Sequence, residues 1–256
     1  MQEYMSLFVK DPQIDSCRRD ALRTLLQAAG NSSTVTNDDR LLKARKCWED
    51  ALTFYLSYPM DFTFGSHVIP LLASMWVSDG AILELGSGWY STPMMHRIST
   101  VQGRNVLTAD SKYEWLKYFL FFVSNKHDLY LVNVNKPPAD DIDSAVRVVS
   151  SWDAIGQQQQ HWGFIFVDHA PAEQRIEELE RLRHRGDLIL VHDTEPEHDG
   201  IYQVQKHLST FKYRMTFGPG WTGTHTDVLS ESRPELVQAV QTLSQWSIDL
   251  LKHVKN

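Results

Sequence analysis

Acidic and imidazole side chains follow short apolar runs at three places in the sequence. Asp110 ends one of these runs, Asp168 and His169 end a second, and His192 and Asp193 end a third. An imidazole titrates near neutral pH, so His169 or His192 is suited to accept a proton as a general base. We interpret Asp168, His169, His192 and Asp193 as candidate catalytic residues.

A glycine loop follows an earlier apolar run. Gly86 and Gly88 tolerate positive φ and carry no Cβ, so a ligand can approach their backbone. The helix expected after them offers unpaired N–H groups and the positive end of its dipole. A dinucleotide site would have a third glycine where Ser91 stands, and Glu84 would repel a pyrophosphate but attract a cation. A plain strand-to-helix turn is the alternative.

Asp110 supports a nucleoside site over a plain turn. It lies a little over 20 residues after the glycines, where a carboxylate can accept hydrogen bonds from both ribose hydroxyls. By itself an Asp at a strand end is usually a helix N-cap. Together with Glu84 and the glycines, the ribose interpretation is preferred.

Alternating apolar runs and amphipathic helices indicate the elements that position these residues. Helices are predicted over 12–29 and 38–58, and strands over 81–85, 105–109, 129–134, 164–167, 188–191, 213–217 and 226–230. The alternation predicts an α/β fold with a doubly wound, mostly parallel seven-stranded sheet. Two closing strands without a long helix between them predict an antiparallel edge hairpin. Since parallel strands share a carboxyl edge, Asp110, Asp168 and Asp193 should point into one crevice.

Bulk composition limits the class of protein. The 256 residues, 42% of them hydrophobic and 22% charged, predict one large domain or one domain with an extension. A net charge of −7 argues against non-specific binding to nucleic acid or anionic lipid. No apolar run reaches the roughly 18 residues of a membrane span, and the first residues lack a signal-peptide pattern. We therefore expect a cytoplasmic protein with no membrane or nucleic-acid partner. Cys17 and Cys47 lack metal-knuckle spacing and are interpreted as thiols in a reducing compartment.

Four segments resemble the class I S-adenosylmethionine-dependent methyltransferases. They are residues 84–88 (Glu-Leu-Gly-Ser-Gly), 107–110 (Leu-Thr-Ala-Asp), 164–171 (Phe-Ile-Phe-Val-Asp-His-Ala-Pro) and 188–195 (Leu-Ile-Leu-Val-His-Asp-Thr-Glu). The resemblance covers roughly residues 80–230 and is greatest to poorly characterised small-molecule members. It implies a Rossmann-like methyltransferase domain over 76–256, and residues 1–75 would form an N-terminal helical extension or substrate cap.

The resemblance also implies a cofactor, S-adenosyl-L-methionine, and residues that bind it. Glu84, Gly86, Ser87 and Gly88 would hold its methionine end, with Ser91 and Thr92 nearby; Asp110 would take the ribose, Ser111 would line the adenosine, and Asp168 would lie beside the methyl group. Trp152 would stack on the adenine, with Asp153 as a possible acceptor for its amino group. Alternatively, Trp152 is a core anchor.

A metal is possible but not favoured. Catechol-type O-methyltransferases hold magnesium at the corresponding strand ends, where Asp168 and Asp193 stand here. Thr194 replaces the Asn expected after the second acid, and adjacent Asp and His residues on a strand point to opposite faces. Arg175 is interpreted as a surface or acid-pairing residue.

Aromatic segments flank the predicted crevice and are candidates for the acceptor site. The residues are Tyr58, Phe64 and His67 before the first strand, Trp89 and Tyr90 in the glycine loop, and Trp221 and His225 between the last strands. Such rims suit a flat or cationic small molecule, although connectors and hairpin loops are the plainer interpretation. We expect methyl transfer to an O or N atom of a small molecule, and the chain could form a homodimer. The alternatives are an NAD-dependent oxidoreductase and a non-catalytic cofactor-binding module.

Overall fold

A computed structural model describes residues 12–30, 39–56, 67–132, 142–157, 159–171, 174–218 and 224–254. Within these ranges, three helices precede the sheet: α1 (Pro12–Gly30), α2 (Asp39–Tyr55) and α3 (Val68–Val77). The first two are the predicted helices. The apolar α3 was not predicted, since all ten of its residues are buried and it has no polar face to give a helical period.

Strands and helices then alternate along the chain. The strands are β1 (Ile82–Leu85), β2 (Val106–Asp110), β3 (His127–Val132), β4 (Val146–Val149), β5 (Trp162–Val167), β6 (Gly186–His192), β7 (Tyr213–Phe217) and β8 (Thr226–Ser230). The helices between and after them are α4 (Ser91–Gln102), α5 (Tyr113–Leu116), α6 (Gln174–Leu182), α7 (Asp199–Tyr202), α8 (Gln205–Leu208) and α9 (Pro234–Val254), with 3₁₀ turns at Lys117–Phe122, Trp152–Ala154 and Pro196–His198.

The eight strands form one sheet in the order β4-β3-β2-β1-β5-β6-β8-β7. The first six are parallel, and β8 and β7 are antiparallel, which confirms the predicted edge hairpin. The chain winds outward from β1 to β4 and then crosses to β5 on the other side. This is a doubly wound, Rossmann-like architecture, and its switch point lies between β1 and β5.

The predicted number of seven strands is wrong, because β4 adds an eighth at the sheet edge. Val146 is buried, Arg147 and Val148 are exposed, and Val149 is half-buried. An edge strand of four residues with an arginine inside it gives no continuous apolar run, so the sequence pattern does not reveal it.

Hydrophobic clusters cover both faces of the sheet. One cluster joins α1, α2, α3 and α9 to the strands, and it includes Trp48, Trp76, Phe164 and Val240. The indole Nε1–H of Trp48 donates to the Leu243 carbonyl (3.1 Å), so the buried ring leaves no unsatisfied donor. The cluster is continuous across residues 75 and 76, where the sequence predicted a change from extension to main domain.

A disulfide joins α1 to α2. Cys17 and Cys47 are bonded, with their Cα atoms 6.0 Å apart. The interpretation of these residues as thiols is therefore wrong. The reason is tertiary: the two helices pack side by side, and this brings together cysteines that are 30 residues apart and belong to no sequence motif. No helix in the described ranges is long and apolar enough to cross a membrane.

Two buried arginines hold the connection into β1. Arg18 of α1 donates to the carbonyls of Trp76 (2.6 Å) and Ser78 (2.8 Å). Arg104 donates to the carbonyls of Met75 (2.7 Å) and Gly80 (2.6 Å). They satisfy carbonyls of the last turn of α3 and of the segment that follows it, and so fix where β1 and its glycine loop begin.

Candidate functional site

The glycine loop after β1 touches the loop after β5. Gly86 has φ +94°, and a Cβ at this position would lie 2.6 Å from the carbonyl carbon and oxygen of Asp168. Its N–H donates to the Ala109 carbonyl (2.8 Å), and the Asp168 N–H donates to the Leu85 carbonyl (2.8 Å). Only glycine fits at this position. The contacts bring the loops that follow β1, β2 and β5 together at the switch point.

Asp110 holds the glycine loop from the end of β2. Its Oδ2 accepts hydrogen bonds from the N–H (2.9 Å) and the hydroxyl (2.8 Å) of Ser87, and its Oδ1 accepts from the Lys112 N–H (2.9 Å). A carboxylate has about four acceptor positions, so capacity remains for a ligand hydroxyl. The Ser111 hydroxyl donates to the Ala170 carbonyl (3.2 Å), which links this loop to the loop after β5. The ribose role of Asp110 stays a prediction.

Glu84 lies beneath the loop, fully buried. Its carboxylate accepts hydrogen bonds from the hydroxyls of Thr108 (2.6 Å) and Thr92 (2.9 Å). The Thr92 hydroxyl in turn accepts from the Gly88 N–H (3.0 Å). Burial raises the pKa of Glu84 to about 8, against the opposing effect of the hydroxyl groups, Ser91 included. Its predicted place near the methionine end stays a prediction, because Thr92 separates its carboxylate from the loop amide.

An imidazole lies between two carboxylates at the ends of β5 and β6. His192 Nδ1 is 3.3 Å from Asp168 Oδ1 and 3.4 Å from Asp193 Oδ1. Asp193 has φ +56°, a left-handed conformation that Asp tolerates better than most residues. The expectation that Asp and His neighbours face opposite ways is therefore wrong for this pair, since the strand ends between them.

Arg175, at the start of α6, completes this cluster. Its guanidinium lies 3.1 Å from Asp168 Oδ1 and 3.7 Å from Asp193 Oδ2, and it donates to the carbonyls of His169 (2.9 Å) and His192 (3.0 Å). The side chain is buried. Of the two alternatives from the sequence, acid pairing is the correct one. Its central position was missed, although two neighbouring buried acids require a countercharge.

The charges of this cluster support each other. Burial would raise the pKa of Asp168, but His192 and Arg175 outweigh it and lower the pKa to about 2. Burial would likewise lower the pKa of His192, but Asp168 and Asp193 outweigh it and raise the pKa above its ordinary value. Asp168 is therefore ionised at neutral pH, and the two carboxylates stabilise the protonated form of His192.

His67, at the start of α3, faces this cluster. Its ring is 4.4 Å from that of His192, and it stacks on Phe166 at 5.5 Å. Tyr90 is 6.4 Å away. Burial lowers the pKa of His67 to about 3, and its Nδ1 has no hydrogen-bond partner among the described residues. Two predicted acceptor-site residues, His67 and Tyr90, thus lie on the His192 side of the crevice.

His169 lies on the other face of the sheet. Its ring is 4.3 Å from that of Trp152, and it is buried. Neither ring nitrogen has a partner within the part of the chain that the structure describes, and burial lowers its pKa to about 3. Trp152 belongs to the hydrophobic cluster of this face. Two histidines that follow the same sequence pattern are thus in different environments.

An aromatic cluster stands beside the glycine loop. Trp89 is half exposed, and its ring lies 5.7 Å from Trp115 and 5.1 Å from Tyr118. The Trp115 Nε1–H donates to the Ser87 carbonyl. Trp89 thus packs on the β2 side of the loop, away from His192.

Of the remaining residues predicted for the acceptor site, only His225 lies within the described ranges. Tyr58, Phe64 and Trp221 lie outside the described residues. The His225 N–H donates to Glu195 Oε2 (2.9 Å), and its carbonyl accepts from the Thr194 N–H (3.1 Å). His225 therefore adjoins the turn that follows Asp193.

Three of these residues could hold a divalent cation. One ligand atom each from Asp168, His192 and Asp193 lies within 4.8 Å of the others. Nitrogen and oxygen ligands of this kind suit several metals. However, Arg175 already lies 3.1 Å from the Asp168 oxygen, so a cation would compete with the guanidinium for the same charge.

The fold is similar to those of solved methyltransferase structures. An O-methyltransferase from Bacillus cereus in complex with SAH is 15% identical, with a TM-score of 0.42 over 82% of this chain and 100% of that chain. The O-methyltransferase TomG from Streptomyces achromogenes, in complex with SAM, is 14% identical, with a TM-score of 0.45 over 78% and 93%. A METTL16 methyltransferase domain is 11% identical, with a TM-score of 0.43 over 83% and 92%. No protein-family model matches the sequence, and no curated protein matches it.

Proposed function

We propose that this protein is an S-adenosylmethionine-dependent methyltransferase that acts on an O or N atom of a small molecule. The observation that carries the proposal is the contact between the glycine loop and the loop of Asp168. A Cβ on Gly86 would lie 2.6 Å from the Asp168 carbonyl, so a ligand on the glycine loop is beside the cluster of Asp168 and His192.

The residues around the loop fit the cofactor. The loop of Gly86 and Gly88 would meet its methionine end, and Asp110 and Ser111 would meet its ribose and adenosine. When bound, S-adenosylmethionine supplies an electrophilic methyl group on a positively charged sulfur. Trp152 is buried against His169, which favours a core role for it over adenine stacking.

His192 is the proposed general base. Asp168 and Asp193 lie beside its Nδ1, which favours the tautomer protonated there and directs Nε2 at the acceptor's proton. Arg175 holds Asp168 in place without taking that proton, because its guanidinium stays charged. His169 is on the other face, so we assign the catalytic role to His192 and not to His169.

The acceptor would lie between this cluster and the segments around it. His67 and Tyr90 come from outside the parallel strands and stand on the His192 side, which supports the N-terminal helices as a partial cap. An imidazole base suits a hydroxyl or amine acceptor. Tyr58, Phe64, Trp89, Trp221 and His225 stay predicted contributors to the rim.

Titration calorimetry with S-adenosylhomocysteine and with NADH tests the proposed cofactor. We expect the first to bind and the second not to bind. Asp110→Asn should weaken S-adenosylhomocysteine binding by about 1–3 kcal/mol, because a charged acceptor is lost. Asp20→Asn, exposed on α1, is the matched control and should bind as the wild type does.

If NADH binds and S-adenosylhomocysteine does not, the result would favour the oxidoreductase alternative. Transfer is tested separately, by incubation with methyl-labelled cofactor and a metabolite extract. Binding without transfer in any extract would favour a non-catalytic cofactor-binding module.

A further inference from the structure

A chain of four buried polar side chains runs under the glycine loop. Glu84 Oε2 is 2.6 Å from the Thr108 hydroxyl, which is 2.8 Å from His127 Nε2. His127 Nδ1 is 3.2 Å from His96 Nδ1. Glu84, Thr108 and His127 are fully buried, and His96 is nearly so. Nothing in the proposed transfer of a methyl group uses the two histidines.

The chemistry of the four groups restricts where their protons lie. A hydroxyl donates one hydrogen bond, and Thr108 donates it to Glu84 when the carboxylate is ionised. Thr108 must then accept from His127, which places the proton of His127 on Nε2. His127 Nδ1 is then an acceptor, and His96 must carry its proton on Nδ1.

Protonation of Glu84 reverses this arrangement. A carboxylic acid can donate to Thr108, which frees the Thr108 hydroxyl to donate to His127 Nε2. His127 would then carry its proton on Nδ1 and donate to His96. Both histidines thus exchange tautomers while each stays neutral, as their surroundings require: burial lowers the pKa of His127 to about 3 and that of His96 to about 4.

The same carboxylate is connected to the loop above it. The Thr92 hydroxyl donates to Glu84 and accepts from the Gly88 N–H. The charge on Glu84 therefore acts through one hydroxyl on an amide of the glycine loop. Among the described residues, Asp110 is the charged group that acts on Glu84, and His96 is the one titratable group that acts on His127.

We propose that His127, supported by His96, is a positioning residue whose tautomer is coupled to the charge on Glu84. It donates to Thr108 when Glu84 is ionised and accepts from Thr108 when Glu84 is protonated, so the Thr108 hydroxyl stays hydrogen-bonded in both states. The consequence for a cationic cofactor rests on the proposed function, whereas the proton arrangement does not.

Nitrogen-15 NMR of the ligand-free protein tests the proton arrangement directly. As the pH rises through the ionisation of Glu84, His127 should change from Nδ1–H to Nε2–H and His96 from Nε2–H to Nδ1–H, in one step. Glu84→Gln should show no step, because its amide donates at every pH. Tautomers that stay constant in the wild type between about pH 6 and 9.5 would overturn the proposal.

The affinity for S-adenosylhomocysteine, measured across the same pH range, tests the consequence. His127→Leu leaves the Thr108 proton without an acceptor when Glu84 is protonated, which disfavours that state, so the rise in affinity with pH should shift downward by about one unit, an about tenfold gain below the midpoint. His127→Gln keeps both a donor and an acceptor and should restore the wild-type profile. An equal loss at every pH in both variants would indicate a merely structural role and overturn the proposal.

The two measurements separate this proposal from the proposed function. A wild-type protein that binds no S-adenosylhomocysteine would reject the proposed cofactor, and the NMR titration would still decide the positioning role. If His127→Leu does not fold, the NMR experiment on the wild type and Glu84→Gln decides it alone.

Discussion

His192 and His169 differ in role although both stand beside an aspartate after a parallel strand. Side-chain alternation sends His169 away from Asp168 and into the hydrophobic cluster with Trp152. The left-handed turn at Asp193 instead keeps His192 between two acids. The sequence predicts where these residue types gather, because strand ends meet at one edge. It does not predict the backbone turn that selects one histidine.

His192→Gln and His169→Phe should therefore affect methyl transfer differently. Loss of a general base lowers the rate by about 10²–10⁴-fold, whereas His169→Phe removes no hydrogen bond formed within the described residues. The readout is transfer of labelled methyl to the metabolite extract, with thermal unfolding as the check on folding. An equal loss of rate in both folded variants would contradict the assignment. Loss of wild-type activity on addition of EDTA would favour a metal at Asp168, His192 and Asp193.

The glycine loop is the element whose local conformation the sequence predicts best. Gly86→Ala would force a methyl group against the Asp168 backbone at 2.6 Å, in a conformation that alanine rarely adopts. We expect a loss of about 2–4 kcal/mol in the free energy of unfolding, measured with urea. Gly103→Ala is the matched control, since Gly103 also has positive φ (+70°) but a Cβ there meets no atom within 4 Å. It should cost about 1 kcal/mol. Equal costs would argue against a tight contact between the loops.

Two elements escape sequence prediction for opposite reasons. Helix α3 is buried on all sides and has no amphipathic period, and β4 is so exposed at the edge that its apolar run is broken. Periodicity detects elements with one buried and one exposed face. The disulfide escapes for a third reason, because it depends on the packing of α1 against α2.

Reduction of the Cys17–Cys47 disulfide should lower the melting temperature. The bond closes a loop between residues 30 positions apart, and chain entropy gives it a stabilisation of about 2–4 kcal/mol. Cys17→Ser with Cys47→Ser should unfold at the same temperature as the reduced wild type, and addition of reductant should leave this variant unchanged. A wild-type melting temperature that is insensitive to reductant would mean that the bond contributes nothing.

At the scale of the whole molecule, four histidines of the described residues lie in surroundings that disfavour their charged form. The pKa values of His67, His127 and His169 fall to about 3, and that of His96 to about 4. Below about pH 6.5 the unfolded chain binds protons at these positions and the folded protein does not. Glu84, with its pKa raised to about 8, acts in the opposite sense between about pH 8 and 4.5. The raised pKa values of Glu178 and His192 act in that sense too, but below about pH 6.5 the four histidines outnumber these groups.

The free energy of unfolding should therefore fall on acidification from pH 7 to pH 5. Each histidine contributes on the order of 1 kcal/mol per pH unit in this range. Urea unfolding at several pH values measures the slope of the free energy of unfolding against pH. His169→Phe should reduce this slope by the contribution of one histidine. A free energy of unfolding that stays constant or rises on acidification over this range would contradict the prediction.

The aromatic cluster beside the glycine loop is an intrinsic spectroscopic probe of that loop. The Trp115 indole is tied to the Ser87 carbonyl, and the half-exposed Trp89 packs against it. Indole emission and near-ultraviolet circular dichroism respond to hydrogen bonding and to the orientation of neighbouring rings. A ligand that moves the Ser87 peptide would therefore change the spectrum of the unlabelled protein. Ligand binding at the loop can thus be followed in solution without a dye. Candidate cofactors can be screened by the change they cause in the intrinsic tryptophan fluorescence.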